Sequence, residues 1–192
     1  MKIFIDFDDT IVNSTETFVR VYNKRYGTKV RCDDIVNHGF KPQLDVRASE
    51  VVNIFSSNDF RKELKPFHGV YKALKELKSN GFELYLITNC SDTSTVQKLK
   101  WFEGHQKYSN LFDGKIFLSL CKPYDKSVVD MKGAVLIDDH KENHKLSNAE
   151  AHLAYNTNTN RTWCPTEEDG VKVFDSWAKI KDYLVKNCLP RQ

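Results

Sequence analysis

Short apolar segments ending on acids or hydroxyls recur along this chain, and stretches with helical spacing separate them. "KIFIDF" (Lys2–Phe7) is apolar on both faces until Asp6, the pattern of a strand covered on both sides in a parallel sheet. "FELYLITN" (Phe82–Asn89), "KIFLSL" (Lys115–Leu120) and "GAVLIDD" (Gly133–Asp139) take the same form, with "AHLAYN" (Ala151–Asn156) a weaker fifth. "HGVYKALKELKSNG" (His68–Gly81) repeats apolar residues at Val70, Leu74 and Leu77, and Gly81 supplies a stop. A second helix is expected from Ser91 to about His105, capped by Ser91 or Asp92, and a third over Asp175–Asn187. Strands alternating with helices predict a parallel α/β sheet with right-handed crossovers.

One segment breaks the rhythm. About sixty residues separate the first strand from the His68 helix, far more than an ordinary crossover needs. Within them "ETFVRVYNKRYG" (Glu16–Gly27) and "ASEVVNIFSSNDFRKEL" (Ala48–Leu64) both read as helical. Residues 13–66 are therefore expected to form a small helical cap, with 1–12 and 67–192 as the catalytic core.

At 192 residues, 40% apolar and 29% charged, the chain has the composition of a soluble globular domain with a proper core. A net charge of +3 with no basic stripe gives no reason to expect a nucleic-acid polymer as partner. No apolar run approaches the roughly 20 residues that span a bilayer, so no membrane partner is expected. The N-terminus enters a strand directly, so no signal peptide is expected either. Five scattered cysteines without a CxxC pair fit reduced thiols in a cytoplasm better than a disulfide framework or a zinc site.

The polar residues fall where chemistry in such a sheet is done. Asp6 and Asp8 end the first strand, Thr88 and Asn89 the second, and Asp138 and Asp139 the fourth. Ligands bind open α/β sheets outside the carboxyl ends of the strands, so these groups should meet at one edge. Carboxylates held that close repel one another and are expensive to desolvate. A hard cation with a preference for oxygen ligands, Mg²⁺ above all, would hold them together. An EF-hand is excluded, because Ile11 and Thr17 stand where that loop needs Gly and Glu.

"DFDDT", "LITN", a lysine and "LIDDH", in that order, resemble the four motifs of the haloacid dehalogenase-like phosphatases. "KLKWFEGH" (Lys98–His105) and "DKSVVDMKGAVLIDDHKEN" (Asp125–Asn143) are most similar to the 5'(3')-deoxyribonucleotidase group. The resemblance runs from Met1 to about Asn143, the cap excepted. It implies a Rossmann-like parallel sheet with flanking helices and a small helical cap, and a Mg²⁺-dependent phosphomonoesterase acting through an aspartyl phosphate. By the same resemblance Asp6 is the nucleophile and Asp8 the general acid and base. Asp6, the Asp8 carbonyl and Asp139 would hold the metal, with Asp138 either a direct ligand or an acceptor for metal-bound water. Thr88 and Asn89 would bind phosphate together with a lysine. Lys126 in "DKSVV" is the better match for that lysine and Lys122 in "CKP" the alternative, while Lys98 matches a second phosphate-contacting lysine. His140 stands where the family commonly has arginine.

Specificity would come from the cap. Phe18, Phe40, Phe55 and Phe60 can offer flat faces to a base. Phe18 is the first candidate, one turn beyond the position near Ser14 where the nucleotidases carry an aromatic residue. The expected substrate is a small phosphomonoester, a (deoxy)nucleoside monophosphate in the nucleotidase reading. A sugar phosphate is the alternative, and a non-enzymatic phosphate-binding protein on the same fold the reading from another class. Family habit adds a homodimer to the expectations.

Overall fold

In the computed structural model, residues 1–38, 40, 47–119, 126–157, 159–160 and 162–188 are described. Among these residues six strands form one sheet: β1 (Lys2–Ile5), β2 (Glu83–Cys90), β3 (Gly114–Ser119), β4 (Val135–Ile137), β5 (Ala151–Tyr155) and β6 (Lys172–Phe174). Their order is β3-β2-β1-β4-β5-β6, and every pairing is parallel. The chain winds outward from β1 through β2 to β3, then returns to β4 on the other side of β1. That reversal opens a crevice at the carboxyl ends of β1, β2 and β4.

Alternation along β1 shows why the sheet is covered on both faces. Ile3 and Ile5 enter the main core, while Phe4 packs on the opposite face with Ile87, Met131 and Leu136. Helices α4 (Val70–Ser79) and α8 (Trp177–Asn187) lie on the main-core face. There Leu74, Leu77, Trp177, Ile180 and Leu184 are buried against Leu84, Leu86 and Leu153. Full burial of such a side chain is worth about 1.5–3 kcal/mol. Gly81, with φ of 82°, turns the chain out of α4 into β2.

Between β1 and α4 run α1 (Ser14–Tyr26), a 3-10 turn (Cys32–Asp34), α2 (Ala48–Phe55) and α3 (Asn58–Glu63). The expected single helix over Ala48–Leu64 is broken at Ser56 and Ser57. The Ser57 hydroxyl accepts from Phe60 N at 3.2 Å and donates to Ile54 O at 2.7 Å, ending one helix and capping the next. The two chain crossings at the base of this segment lie side by side. Asn13 N donates to Lys65 O at 3.0 Å, Lys65 N to the Asn13 side chain at 3.1 Å, and Phe67 N to Ile11 O at 2.9 Å.

Helices α5 (Asp92–Gly104) and α6 (Gln106–Ser109) bring Trp101, Phe102 and Tyr108 to the main core, and the short α7 (Lys141–Leu146) follows β4. The three-residue strand β6 has no counterpart among the strands expected from the sequence. Among the described residues no helix is long and apolar enough to cross a membrane.

Candidate active site

Register alone brings the first acids together. Ile5 pairs with Ile137 and Leu86, so Asp6 and Asp138 leave neighbouring strands at the same level, and Asp6 N donates to Ile137 O at 2.9 Å. Asp6, Asp138 and Asp139 each offer an oxygen, all within 4.8 Å of one another, and all three side chains are buried. Lys126, only 1% exposed, reaches into this group from the loop before β4. Its ammonium donates to Asp6 and to Asp138, the latter at 2.5 Å. Asp138 also accepts from Asn143 Nδ2 at 3.0 Å and from His140 N at 2.8 Å.

These environments drive the three acids apart. Burial lifts Asp6 to about 7 in spite of Lys126. Burial, then the charges of Asp9, Asp138 and Asp6, raise Asp139 well above the usual carboxylate range. Asp138 feels the same burial, but Lys126, His144 and its hydrogen bonds outweigh it and hold it below that range. Burial would lower Lys126, yet the two carboxylates beside it win and raise it. With all three acids ionised, three carboxylates against one ammonium would leave two negative charges in a buried cluster of hard oxygens. One Mg²⁺ would balance them, so the donor set fits that ion.

A second charged pair lies beside the first. Lys98, 7% exposed, donates from α5 to Asp8 Oδ2 at 2.5 Å, to Thr88 Oγ1 at 2.6 Å and to Asn89 O at 3.2 Å. Ser14, the first residue of α1, donates to the other Asp8 oxygen at 2.5 Å. Asp8 is thus held from both sides at the cavity wall. Asp9 takes a left-handed conformation (φ 50°), and its carboxylate accepts from Thr15 N at 2.9 Å and from the Thr15 hydroxyl. That contact fixes the loop onto the start of α1.

These side chains line one cavity of about 550 Å³. Asp6, Asp8, Asp138, Asp139, Thr88, Asn89, Lys98 and Lys126 are all on its wall, whereas Lys122 lies outside the described residues. Phe18 corrects the expectation for the cap. It is completely buried behind the wall, with ring centroids 4.5 Å from Phe40 and 5.3 Å from Phe55. Helical spacing turns it inward with Val21 and Tyr22, and the wall itself is Phe40, Phe55 and Phe60 with Val51, Val52 and Leu64.

Four further residues carry no motif that the sequence could have flagged. Arg61 Nε donates to Gln97 Oε1 at 3.2 Å on the apolar side of the cavity. His38, 4.6 Å from His140 and 6.0 Å from Trp163 between ring centroids, brings a third ring to the acid end. Burial and the neighbouring His140 lower its imidazole to about 4, so the ring is neutral near pH 7. Trp163 donates to Asp139.

The pattern of the family described as "5' nucleotidase, deoxy (Pyrimidine), cytosolic type C protein" matches residues 1–189. The chain belongs to this family. Its fold is that of solved haloacid dehalogenase-superfamily hydrolases. Pyrophosphatase PpaX of Halalkalibacterium halodurans is 27% identical over 114 residues, covering 52% of this chain and 53% of its own. The chain spans about half the length of the curated relatives it matches. A predicted phosphatase from Clostridium acetobutylicum superposes with a TM-score of 0.68 at 18% identity, over 96% of this chain and 98% of the other. YfnB of Bacillus subtilis, solved bound to magnesium, superposes with a TM-score of 0.58 at 14% identity, over 97% and 98%. At such identities the likeness of this nucleotidase-family chain to the solved structures is one of fold.

Proposed function

We propose that the protein is a Mg²⁺-dependent phosphomonoesterase that hydrolyses nucleoside monophosphates, deoxyribonucleotides in particular, through an aspartyl phosphate on Asp6. The observation that carries this is one cavity wall bearing both Asp6, held by Lys126, and Asp8, held by Lys98 and Ser14. That arrangement supplies a nucleophile and a separate proton carrier beside the same phosphorus.

Asp6 attacks phosphorus and forms a new P–O bond as the ester P–O bond breaks. Asp8 gives its proton to the departing oxygen. It then takes a proton from the water that attacks the phosphoenzyme, which releases phosphate and restores the Asp6 carboxylate. Lys126 keeps Asp6 in line, and Thr88, Asn89 and Lys98 hold the phosphoryl oxygens. Asp6, Asp139 and the Asp8 carbonyl would hold the cation, with Asp138 as a further ligand or as acceptor for the water on it. When bound it supplies charge neutralisation between the attacking carboxylate and the phosphate.

Residues 13–66 serve as a cap whose inner wall receives the nucleoside. Phe40, Phe55 and Phe60 offer aromatic surface there, and the Arg61–Gln97 pair is the polar group set among them. Steady-state kinetics on deoxynucleoside monophosphates, sugar phosphates and an aryl phosphate, each with Mg²⁺ or EDTA, tests the reading. The highest kcat/KM is expected for a deoxynucleotide, with no turnover in EDTA. A sugar phosphate as best substrate would remove the nucleotidase assignment and keep the chemistry. Activity undiminished by EDTA would overturn both.

A further inference from the structure

A buried carboxylate with one oxygen pinned is a different ligand from one free to turn. Asp139 Oδ2 accepts a hydrogen bond from Trp163 Nε1 at 2.7 Å, with both side chains buried. Among the described residues no other hydrogen-bond donor reaches this carboxylate. One of its oxygens also belongs to the cluster it forms with Asp6 and Asp138.

The indole is presented from between β5 and β6, where several described residues are tied by hydrogen bonds. Asn160, fully buried, donates to Tyr155 O at 2.9 Å and accepts from Thr157 N at 2.7 Å. Trp163 N donates to Asn160 O at 3.1 Å, and Trp163 O accepts from Lys141 N at 3.3 Å, at the start of α7. The loop is thus tied both to the end of β5 and to the helix that follows Asp139. His38 packs against the indole from the side of residues 13–66.

The type of donor matters. An indole has one N–H, accepts nothing and does not titrate near neutral pH. It can hold a carboxylate oxygen without taking its proton and without competing for a cation. We infer that Trp163 is a positioning residue for the cation site, fixing the plane of the Asp139 carboxylate beside Asp6 and Asp138 so that one oxygen is committed and the other is free to ligate. The inference rests on the Mg²⁺-dependent reading above. Partners that orient metal ligands commonly contribute about 10- to 100-fold in metal affinity.

Calorimetric titration of the full chain with Mg²⁺ alone tests this. Trp163→Phe keeps most of the ring and removes the N–H, so its Kd for Mg²⁺ should rise about 10- to 100-fold. Trp163→His loses more volume but keeps a ring N–H, so it should bind Mg²⁺ more tightly than the Phe variant. A His variant weaker than the Phe variant would mean that packing is what matters, and would overturn the inference. So would a Phe variant with the wild-type Kd. A wild-type chain that binds no Mg²⁺ would instead bring down the cation-dependent reading itself. Should neither variant fold, the wild type still decides by NMR: the indole N–H resonance of Trp163 should shift on titration with Mg²⁺, and a resonance that Mg²⁺ leaves unmoved would overturn the inference.

Discussion

Lys98 donates to Asp8 at 2.5 Å across ninety positions of sequence, and the same ammonium donates to Thr88 at 2.6 Å. One cation therefore touches both the proposed proton carrier and the hydroxyl proposed to hold phosphate. Asp8→Asn keeps the shape of that contact and removes the proton carrier, so turnover should fall about 10²- to 10⁴-fold. An aryl phosphate, whose leaving group needs no proton, should recover the phosphorylation step in single-turnover measurements, with dephosphorylation still slow. Equal losses on both substrates in the first step would show that Asp8 is not the acid.

Asp6→Asn removes the charge that attacks phosphorus and one of the two carboxylates around Lys126. Steady-state turnover of every phosphomonoester should drop by several decades, as loss of a nucleophile does elsewhere. No acid-stable trace of phosphoenzyme should form in rapid quench. Turnover within tenfold of the wild type would end the aspartyl-phosphate mechanism.

Proton and Mg²⁺ should compete for the acid cluster. Asp6 and Asp9 are raised to about 7 by burial, and Asp139 is raised well above its usual range by burial and neighbouring acids. Between about pH 4 and pH 7 these acids hold protons in the folded chain that the unfolded chain has released, so in EDTA their contribution to stability should fall as pH rises through that window. The imidazoles of His38, His140 and His144, all lowered, act in the opposite sense there. Asp138, held below the ordinary range, acts in the opposite sense and only below about pH 4. The rise in Tm on adding saturating Mg²⁺ should be larger at pH 8 than at pH 5. An equal rise at both pH values would place Mg²⁺ away from these acids.

Phe18 and Phe55 should separate stability from binding. Phe18 is wholly buried among Tyr22, Phe40 and Phe55, so Phe18→Ala should cost about 3–5 kcal/mol in denaturant unfolding. Phe55→Ala opens the cavity wall itself and should raise KM for deoxynucleotides about five- to a hundredfold, given the worth of stacking on a base. KM for a small aryl phosphate should move far less. Equal effects of Phe55→Ala on both substrates would take the base away from this wall.

Local pattern in the sequence determined the frame of this protein. Apolar runs ending on Asp6, Thr88 and Asp138 mark strands covered on both faces, and Gly81 and the spacing of Leu74 and Leu77 mark the helix between two of them. Such features are legible because burial repeats every two or 3.6 residues along the chain itself. The order of the acids at the strand ends was legible for the same reason, since a parallel sheet puts all those ends at one edge. Tertiary structure alone decided which groups there touch. Lys98 meets Asp8, Lys126 meets Asp6 and Trp163 meets Asp139 only because the sheet order brings β4 beside β1 and folds α5 and the β5–β6 loop over them. Periodicity likewise put Phe18 on an apolar face without saying whether that face was core or cavity wall, because both bury aromatic surface. What lay across from it was Phe40 and Phe55, and they, not Phe18, face the cavity.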